Sequence, residues 1–352
     1  MKLIKTDIQS ICILRLSAIG DVTHVLPVLA SIKKSLPEVK ITWIIGTLEY
    51  KLMKGLSDID FIVFEKSKGR EALKKLTSDI DGLNFDVLLQ MQYSFRANRL
   101  AWRIKATNRV GFDWKRSREF HSYKLTHRIQ AVNNQHVLDG FMEFLKPLNI
   151  SEKIYQWDIT YSSQDREFAL NIIKSNQLNI IISPCSSAEY RNWPNEKYAK
   201  IIDYLVSEYK AHVILCGGPS DYEIKTSKII QKLSKHSVSN ITGKDTLKQL
   251  YCLMRAVDLV ISPDSGPLHI ANASGTPVIG LHAATTAKRS GAYKNQELAI
   301  DCFEKASELY LKKPASKIRW GGQIKHKDTM NIISVNQVIE KIDQVLDREN
   351  NT

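Results

Sequence analysis

Short, nearly unbroken apolar runs recur along this chain, each followed by a stretch of helical apolar spacing, and the whole alternation happens twice. Ile11–Leu16 is the first such run. It suits a parallel strand buried on both faces, because a strand with one wet face would alternate apolar and polar residues. From Asp21 to Leu36, Val22, Val25, Leu26, Leu29 and Ile32 fall on one helical face before Pro37 stops it. Strand-like runs follow at Ile41–Ile45, Phe61–Phe64 and Phe85–Gln90, with helical stretches between. The pattern lapses between Leu148 and Gln164 into polar segments and restarts at Leu178–Ser183, His212–Cys216, Val257–Ser262 and Pro277–Leu281. The fold class is therefore α/β, with two Rossmann-like, doubly wound domains and a ligand cleft facing the carboxyl ends of both sheets. The boundaries predicted are 1–155, 156–334 and a C-terminal amphipathic stretch, 335–352, which is free to cross back to the first domain.

A chain of 352 residues is long enough for two such cores. Its 43% hydrophobic and 25% charged residues are those of an ordinary soluble protein. The five cysteines, Cys12, Cys185, Cys216, Cys252 and Cys302, are odd in number and widely spaced. That speaks against a disulfide framework or zinc site and fits buried apolar filler in a reducing compartment. Lys2 and Lys5 precede Asp7 without the apolar run of a leader, and no stretch approaches the roughly 18 apolar residues of a spanning helix. A cytoplasmic protein is expected. The net charge of +13 is concentrated: between Arg96 and Arg128, ten Lys or Arg residues face only Asp113 and Glu119, a local +8. Such a block marks either an anionic partner or a solvated face. Its interleaved Trp102, Trp114 and Tyr123 read as core anchors.

Three motifs sit where strands end. Arg15-Leu-Ser-Ala-Ile-Gly-Asp21 joins the first strand to its helix. Its single glycine lacks the spacing of a dinucleotide fingerprint. Asp21 can be a helix N-cap or a general base for an attacking hydroxyl. Ser183-Pro-Cys-Ser-Ser-Ala-Glu-Tyr-Arg-Asn-Trp-Pro194 offers Ser186, Ser187 and the forked cation of Arg191 to phosphate, while Trp193 and Pro194 have a structural job at the next helix. Asp264-Ser-Gly opens a helix, so Ser265 and Gly266 can present donors to a diphosphate, with His269 one turn along and Gly275 as the helix stop.

Together these segments resemble glycosyltransferase family 9, the ADP-heptose:lipopolysaccharide heptosyltransferases, most of all the heptosyltransferase I branch. The likeness runs through Ser17-Ala-Ile-Gly-Asp-Val-Thr-His-Val-Leu-Pro27, Val110-Gly-Phe-Asp-Trp114 with Arg118-Glu119, Arg191-Asn-Trp-Pro194, and Asp264-Ser-Gly-Pro-Leu-His269. The resemblance implies a GT-B fold and an inverting, metal-free reaction without cofactor, moving heptose from ADP-heptose to Kdo-lipid A. It makes Asp21 the catalytic base. Donor binding goes to Ser186, Ser187, Arg191, Ser220, Asp264, Ser265, Gly266 and His269, and acceptor contacts to Arg96, Arg99, Arg118, Arg128 and His136. In the family the cation at Arg191 is often lysine, and the position aligned with a ribose-binding acid carries Ser220, after Gly217-Gly218-Pro219. The implied partners are an ADP-sugar and an anionic lipid acceptor at the inner face of the inner membrane, with no nucleic acid and no obligate protein partner. Rival readings are a UDP-sugar transferase or epimerase of the same fold, and a basic nucleic-acid-binding α/β protein. The last lacks any recognisable nucleic-acid module.

Overall fold

The computed structural model describes residues 3, 4 and 7–349; Lys2, Lys5 and the last three residues of the C-terminal stretch lie outside the described residues. The chain divides into two compact units at Thr160/Tyr161.

The first unit holds strands β1 (Ser10–Leu14), β2 (Lys40–Gly46), β3 (Ile59–Phe64), β4 (Phe85–Gln90), β5 (Ala106–Gly111) and β6 (His127–Arg128). They form one parallel sheet in the order β3-β2-β1-β4-β5-β6. Strands β7 (Asn179–Ile182), β8 (His212–Leu215), β9 (Ser239–Asn240), β10 (Leu259–Pro263), β11 (Val278–His282) and β12 (Ile300–Asp301) make the second unit's parallel sheet, in the order β12-β11-β10-β7-β8-β9. Counted from its own first strand, each sheet has the Rossmann order. The winding reverses between β1 and β4 and again between β7 and β10, which leaves a crevice at the carboxyl ends of those pairs. Central strands such as β1 and β7 are buried on both faces, as their runs of apolar residues after a single polar one require.

Differences from the sequence expectation have local causes. The helix expected over Asp21–Leu36 is two helices, Ile19–Thr23 and Val25–Ser35, parted at His24. Pro27 lacks the N–H that would continue the first ladder into the second. Strand β5 escaped notice because Thr107, Asn108 and Arg109 break its apolar run; Arg109 is nevertheless buried, donating to Ala101 O at 2.9 Å and to Ile104 O. Strands β6, β9 and β12 are two residues each, too short for any pattern. Gly275 ends its helix at φ +85°, as the stop signal predicts. All five cysteines are free and buried.

The C-terminal helix, Val335–Glu349, puts its apolar face into the second unit's core through Val338, Ile342, Val345 and Leu346. Asp343 on the same helix accepts hydrogen bonds from Tyr204 (2.7 Å) and Tyr209 (2.8 Å) of the helix Asn195–Tyr209. Upstream, the buried Trp193 indole donates to Ile333 O at 3.1 Å, the structural job expected of it. The helix is thus part of the second unit's core. Ile342→Ala should cost about 2–4 kcal/mol in denaturant unfolding of that unit, as full burial of a branched side chain implies.

Candidate active site

In the second unit the loops after β7, β10 and β11 converge on one carboxylate. Asp264 is buried, and its Oδ2 accepts from Thr285 Oγ1 at 2.7 Å and from Ser290 Oγ at 3.2 Å. Arg191 Nη1 lies 3.6 Å from the same oxygen and donates to the Asp264 carbonyl at 3.2 Å, while Nη2 reaches Ser187 Oγ at 3.2 Å. His269 Nε2 stands 4.0 Å from Oδ1. Burial alone would raise the Asp264 pKa, yet the neighbouring His282 and His269, the Thr285 hydroxyl and Arg191 outweigh it, so the carboxyl sits below its ordinary value. His282, also buried, is shifted down by that burial.

Ser265 is the N-cap of the helix Gly266–Ser274, and its hydroxyl is 2.9 Å from Ser262 Oγ rather than on the helix backbone. A nine-residue helix with Pro267 in its first turn directs backbone N–H groups and a partial positive charge outward beside Asp264. Ser186 is turned inward: its N–H donates to Asn192 Oδ1 at 2.7 Å and its hydroxyl to Ala188 O at 2.9 Å. Ser187, Arg191, Asp264 and His269 are therefore brought together, with Ser265 and Gly266 at the adjoining helix start. Ser220 instead caps the helix Asp221–Leu233 at the end of β8. The acid at that turn is Glu223, whose carboxylate accepts from Gly218 N at 2.5 Å and from Ser220 Oγ at 3.2 Å.

In the first unit Asp21 is the third residue of its short helix, behind an Ala18 N-cap, not the N-cap itself. Its carboxylate is half-buried, pairs with Arg15 and accepts weakly from Ala18 N at 3.3 Å. Arg15 is held in turn by Met91 O at 2.6 Å and by stacking over Phe141 at 5.1 Å, so the ion pair fixes the direction of Asp21. Gly46 is required close by, since a Cβ there would come within 2.5 Å of Leu16 O. Glu49, buried beside this turn, has its pKa raised chiefly by burial.

The basic candidates separate. Arg96 and Arg99 line a cavity of about 560 Å³ together with Lys66 and Arg70, over a floor that includes Phe64 and Leu73. Arg118 is exposed on the neighbouring loop, whose backbone is clamped by Asn98 Nδ2 (3.3 Å to Arg118 O). Arg128 is half-buried, its guanidinium 3.7 Å from the Trp114 ring centre. His136 is buried and caps the helix Val137–Met142 by accepting from Leu138 N at 3.1 Å. Trp114 and Tyr123 are exposed, contrary to the expected core role. The sequence also holds two Asp-x-Asp pairs, Asp58-Ile-Asp60 and Asp79-Ile-Asp81, a pattern that can carry a divalent metal; here Asp58 faces Lys33 (3.6 Å), Asp79 faces Lys75 (2.7 Å), and Asp81 accepts from Gly82 N. Among the described residues no three His, Cys, Asp or Glu side chains cluster as metal ligands. Nor is any described helix long and apolar enough to cross a membrane.

The family model for glycosyltransferase family 9 (heptosyltransferase) matches residues 73–317. The chain is 38% identical over 331 residues to the lipopolysaccharide core heptosyltransferase OpsX of Haemophilus influenzae, covering 94% of this chain and 95% of that one. The chain belongs to glycosyltransferase family 9. Among solved structures, a family 9 glycosyltransferase from Veillonella parvula superposes with TM-score 0.82 at 21% identity, over 98% of this chain and 99% of that one. Escherichia coli heptosyltransferase WaaC with ADP gives 0.73 at 18%, over 95% and 99%. The fold of this family 9 glycosyltransferase is thus GT-B, built of two Rossmann-type units.

Several residues gathered at these candidate sites carry a sequence signal of their own. Thr285 follows β11 in Ala283-Ala-Thr-Thr286, the same strand-then-hydroxyl pattern that marked Ser186 and Ser187. Lys66 and Arg70 follow β3 in a turn with Gly69. Glu223 stands three residues after the position aligned with an acid.

Asp245, in the loop after β9, supplies a pH test. Burial, with a further push from the Glu223 charge, raises its pKa to about 7 from 3.8. The folded state therefore keeps a proton that the unfolded chain loses. The full stability holds below pH 4, declines as pH rises toward 7, and levels off above it. Asp245→Asn should remove that slope, stabilising the protein at pH 8 by about 1–2 kcal/mol while changing little at pH 4, since solvent reaches this half-buried carboxyl. Denaturant melts of both proteins at the two pH values check it.

Proposed function

We propose that this glycosyltransferase moves heptose from ADP-heptose to the Kdo of a lipid A acceptor, with inversion, working at the inner face of the bacterial inner membrane. The observation that carries the donor half is the Arg191–Asp264–His269 cluster beside a helix N-terminus at the end of β10. A cation and free helix-terminal N–H groups suit a diphosphate leaving group, whose charge grows as the sugar departs. Family membership and the 38% identity to a lipopolysaccharide core heptosyltransferase support the heptosyl chemistry. The WaaC structure, solved with ADP, supports the nucleotide.

In this reading Asp21 takes the proton of the acceptor hydroxyl as it attacks the anomeric carbon. Arg15 keeps the carboxylate pointed. Arg191, Ser187, Ser265 and Gly266 hold the diphosphate. Asp264 orients Arg191 and His269 around the sugar phosphate, and its own position is fixed by Thr285 and Ser290. Ser186 shapes the phosphate turn from behind. The ribose lies against the Gly217–Gly218 turn, where Glu223 replaces the acid sought at Ser220, which becomes its hydrogen-bond partner. The acceptor's carboxylate and phosphate groups meet the four cations of the 560 Å³ cavity, Arg96 and Arg99 with Lys66 and Arg70. Arg118 and Arg128 extend that field, while His136 holds the start of the helix Val137–Met142 against His24.

Purified protein, ADP-heptose and Kdo-lipid A, with product mass measured, tests the reaction; transfer from a UDP-sugar instead would redirect the donor assignment. Activity should survive EDTA treatment and dialysis, because Arg191 and the helix terminus supply the positive charge a metal would otherwise bring to the diphosphate. Manganese-dependent activity would contradict this. Asp21→Asn should lower kcat by about 10²–10⁴ with the donor KM near that of the parent. Arg191→Ala should instead raise the donor KM and lower kcat together. Equal kinetic signatures for the two variants would undo the separation of roles.

A further inference from the structure

We propose that the loop 112–124, with the start of the helix Phe95–Ala101, is a docking face for the anionic surface of a lipid bilayer. The inference deepens, and rests on, the reading of a lipid-borne acceptor. Among the described residues, three of the most exposed large apolar side chains lie on this one loop: Trp114 at 70%, Phe120 at 72% and Tyr123 at 58%. Phe95, 47% exposed, continues the patch through Trp102, whose ring meets Phe95 at 6.5 Å and Tyr123 at 5.4 Å. Soluble proteins seldom hold several large rings of one short loop out in water without a use for them.

The loop is not a loose end. His121 is buried under it, accepting from Phe112 N at 2.9 Å, with its other nitrogen 3.1 Å from Asn98 Oδ1. Asn98 Nδ2 donates to Glu119 O at 2.6 Å, and Glu119 accepts from Phe95 N. Phe120 is held at φ +64°, a region that bulky residues rarely occupy. A fixed framework thus points the rings outward.

Around them stand Arg99, Arg103, Lys115, Arg118 and Lys124, all exposed. Rings with basic neighbours are what an anionic headgroup layer recognises: the aromatics enter the interface and the cations meet lipid phosphates. A single-stranded nucleic acid would need open ring faces for stacking. Here Phe95, Trp102 and Tyr123 are packed edge to face, at interplanar angles of 85° and 84°, and the Arg128 guanidinium occupies a face of Trp114. A bilayer accepts such edges.

The test is co-sedimentation of the full chain with phosphatidylcholine vesicles, with and without phosphatidylglycerol. Binding should require phosphatidylglycerol and weaken with salt. Phe120→Ser with Tyr123→Ser should lower it roughly 10-fold, and Lys115→Ser with Lys124→Ser by a similar factor or more. Both double variants should keep the parent's melting temperature and its kcat on a deacylated, water-soluble acceptor, while KM for a vesicle-borne acceptor rises. Unchanged vesicle binding by both variants, or tighter binding to a single-stranded oligonucleotide than to vesicles at the same salt, would overturn the proposal. Vesicle binding through these residues without heptosyl transfer would leave the docking face and remove the proposed function. Transfer to the soluble acceptor without vesicle binding would do the reverse.

Discussion

A carboxylate buried at the end of a parallel strand imposes most of the order seen in the second unit. Asp264 cannot remain ionised out of water unless every neighbouring segment contributes a donor or a charge. Thr285 and Ser290 supply hydroxyls from the chain after β11, Arg191 a guanidinium from the chain after β7, and His269 a ring from the helix that Asp264 itself precedes. Each of those segments is thereby tied to one point outside the sheet. The switch in winding between β7 and β10 opens a crevice there, and the buried charge fixes what lines it. Fold and site are the same constraint seen at two scales.

The first unit uses an ion pair for a similar end with a different balance. Arg15 is the buried partner and Asp21 the more accessible one. A bond to Met91 O and a stack on Phe141 immobilise the guanidinium, so the half-exposed carboxylate is aimed without being enclosed. That asymmetry suits a group required to exchange a proton with a substrate, whereas the enclosed Asp264 suits a group required to stay put. The two acids, each near a strand end and each beside an arginine, are thus distinguished by burial.

The architecture was legible because buried parallel strands announce themselves. Phe85–Gln90 coincides with β4, and seven further strands differ from their apolar runs by one or two residues at an end. What the sequence hid was of two kinds. Strand β5 lies one place in from the sheet edge and is polar in content, since Arg109 finds its partners in the carbonyls of Ala101 and Ile104 and not in a charge visible by spacing. Ser290 likewise reaches Asp264 only through the fold, while Thr285 and Glu223 carry a local signal whose partners the fold alone supplies. Ser220 shows the cost of reading one position in isolation: the acid is present, a turn further along, and the serine is its cap.

The basic segment makes the sharper point, because its composition was plain while its division of labour was not. Ten cations between Arg96 and Arg128 read as a single field. Arg109 is a buried residue of β5 itself, and Arg116 is paired with Asp113, which its own loop encloses. Arg128 places its guanidinium over the Trp114 ring. Arg96 and Arg99 turn to a cavity that recruits Lys66 and Arg70 from a different stretch of chain. Charge that a sum treats as equal is thus divided among holding a strand, closing a loop, lining a cavity and facing solvent. Only the last two can act on a partner, and the exposed rings of Trp114, Phe120 and Tyr123 lie among the solvent-facing cations. A solvated face explains isolated lysines and arginines; it does not explain large rings held out among them by a buried histidine and a clamped backbone.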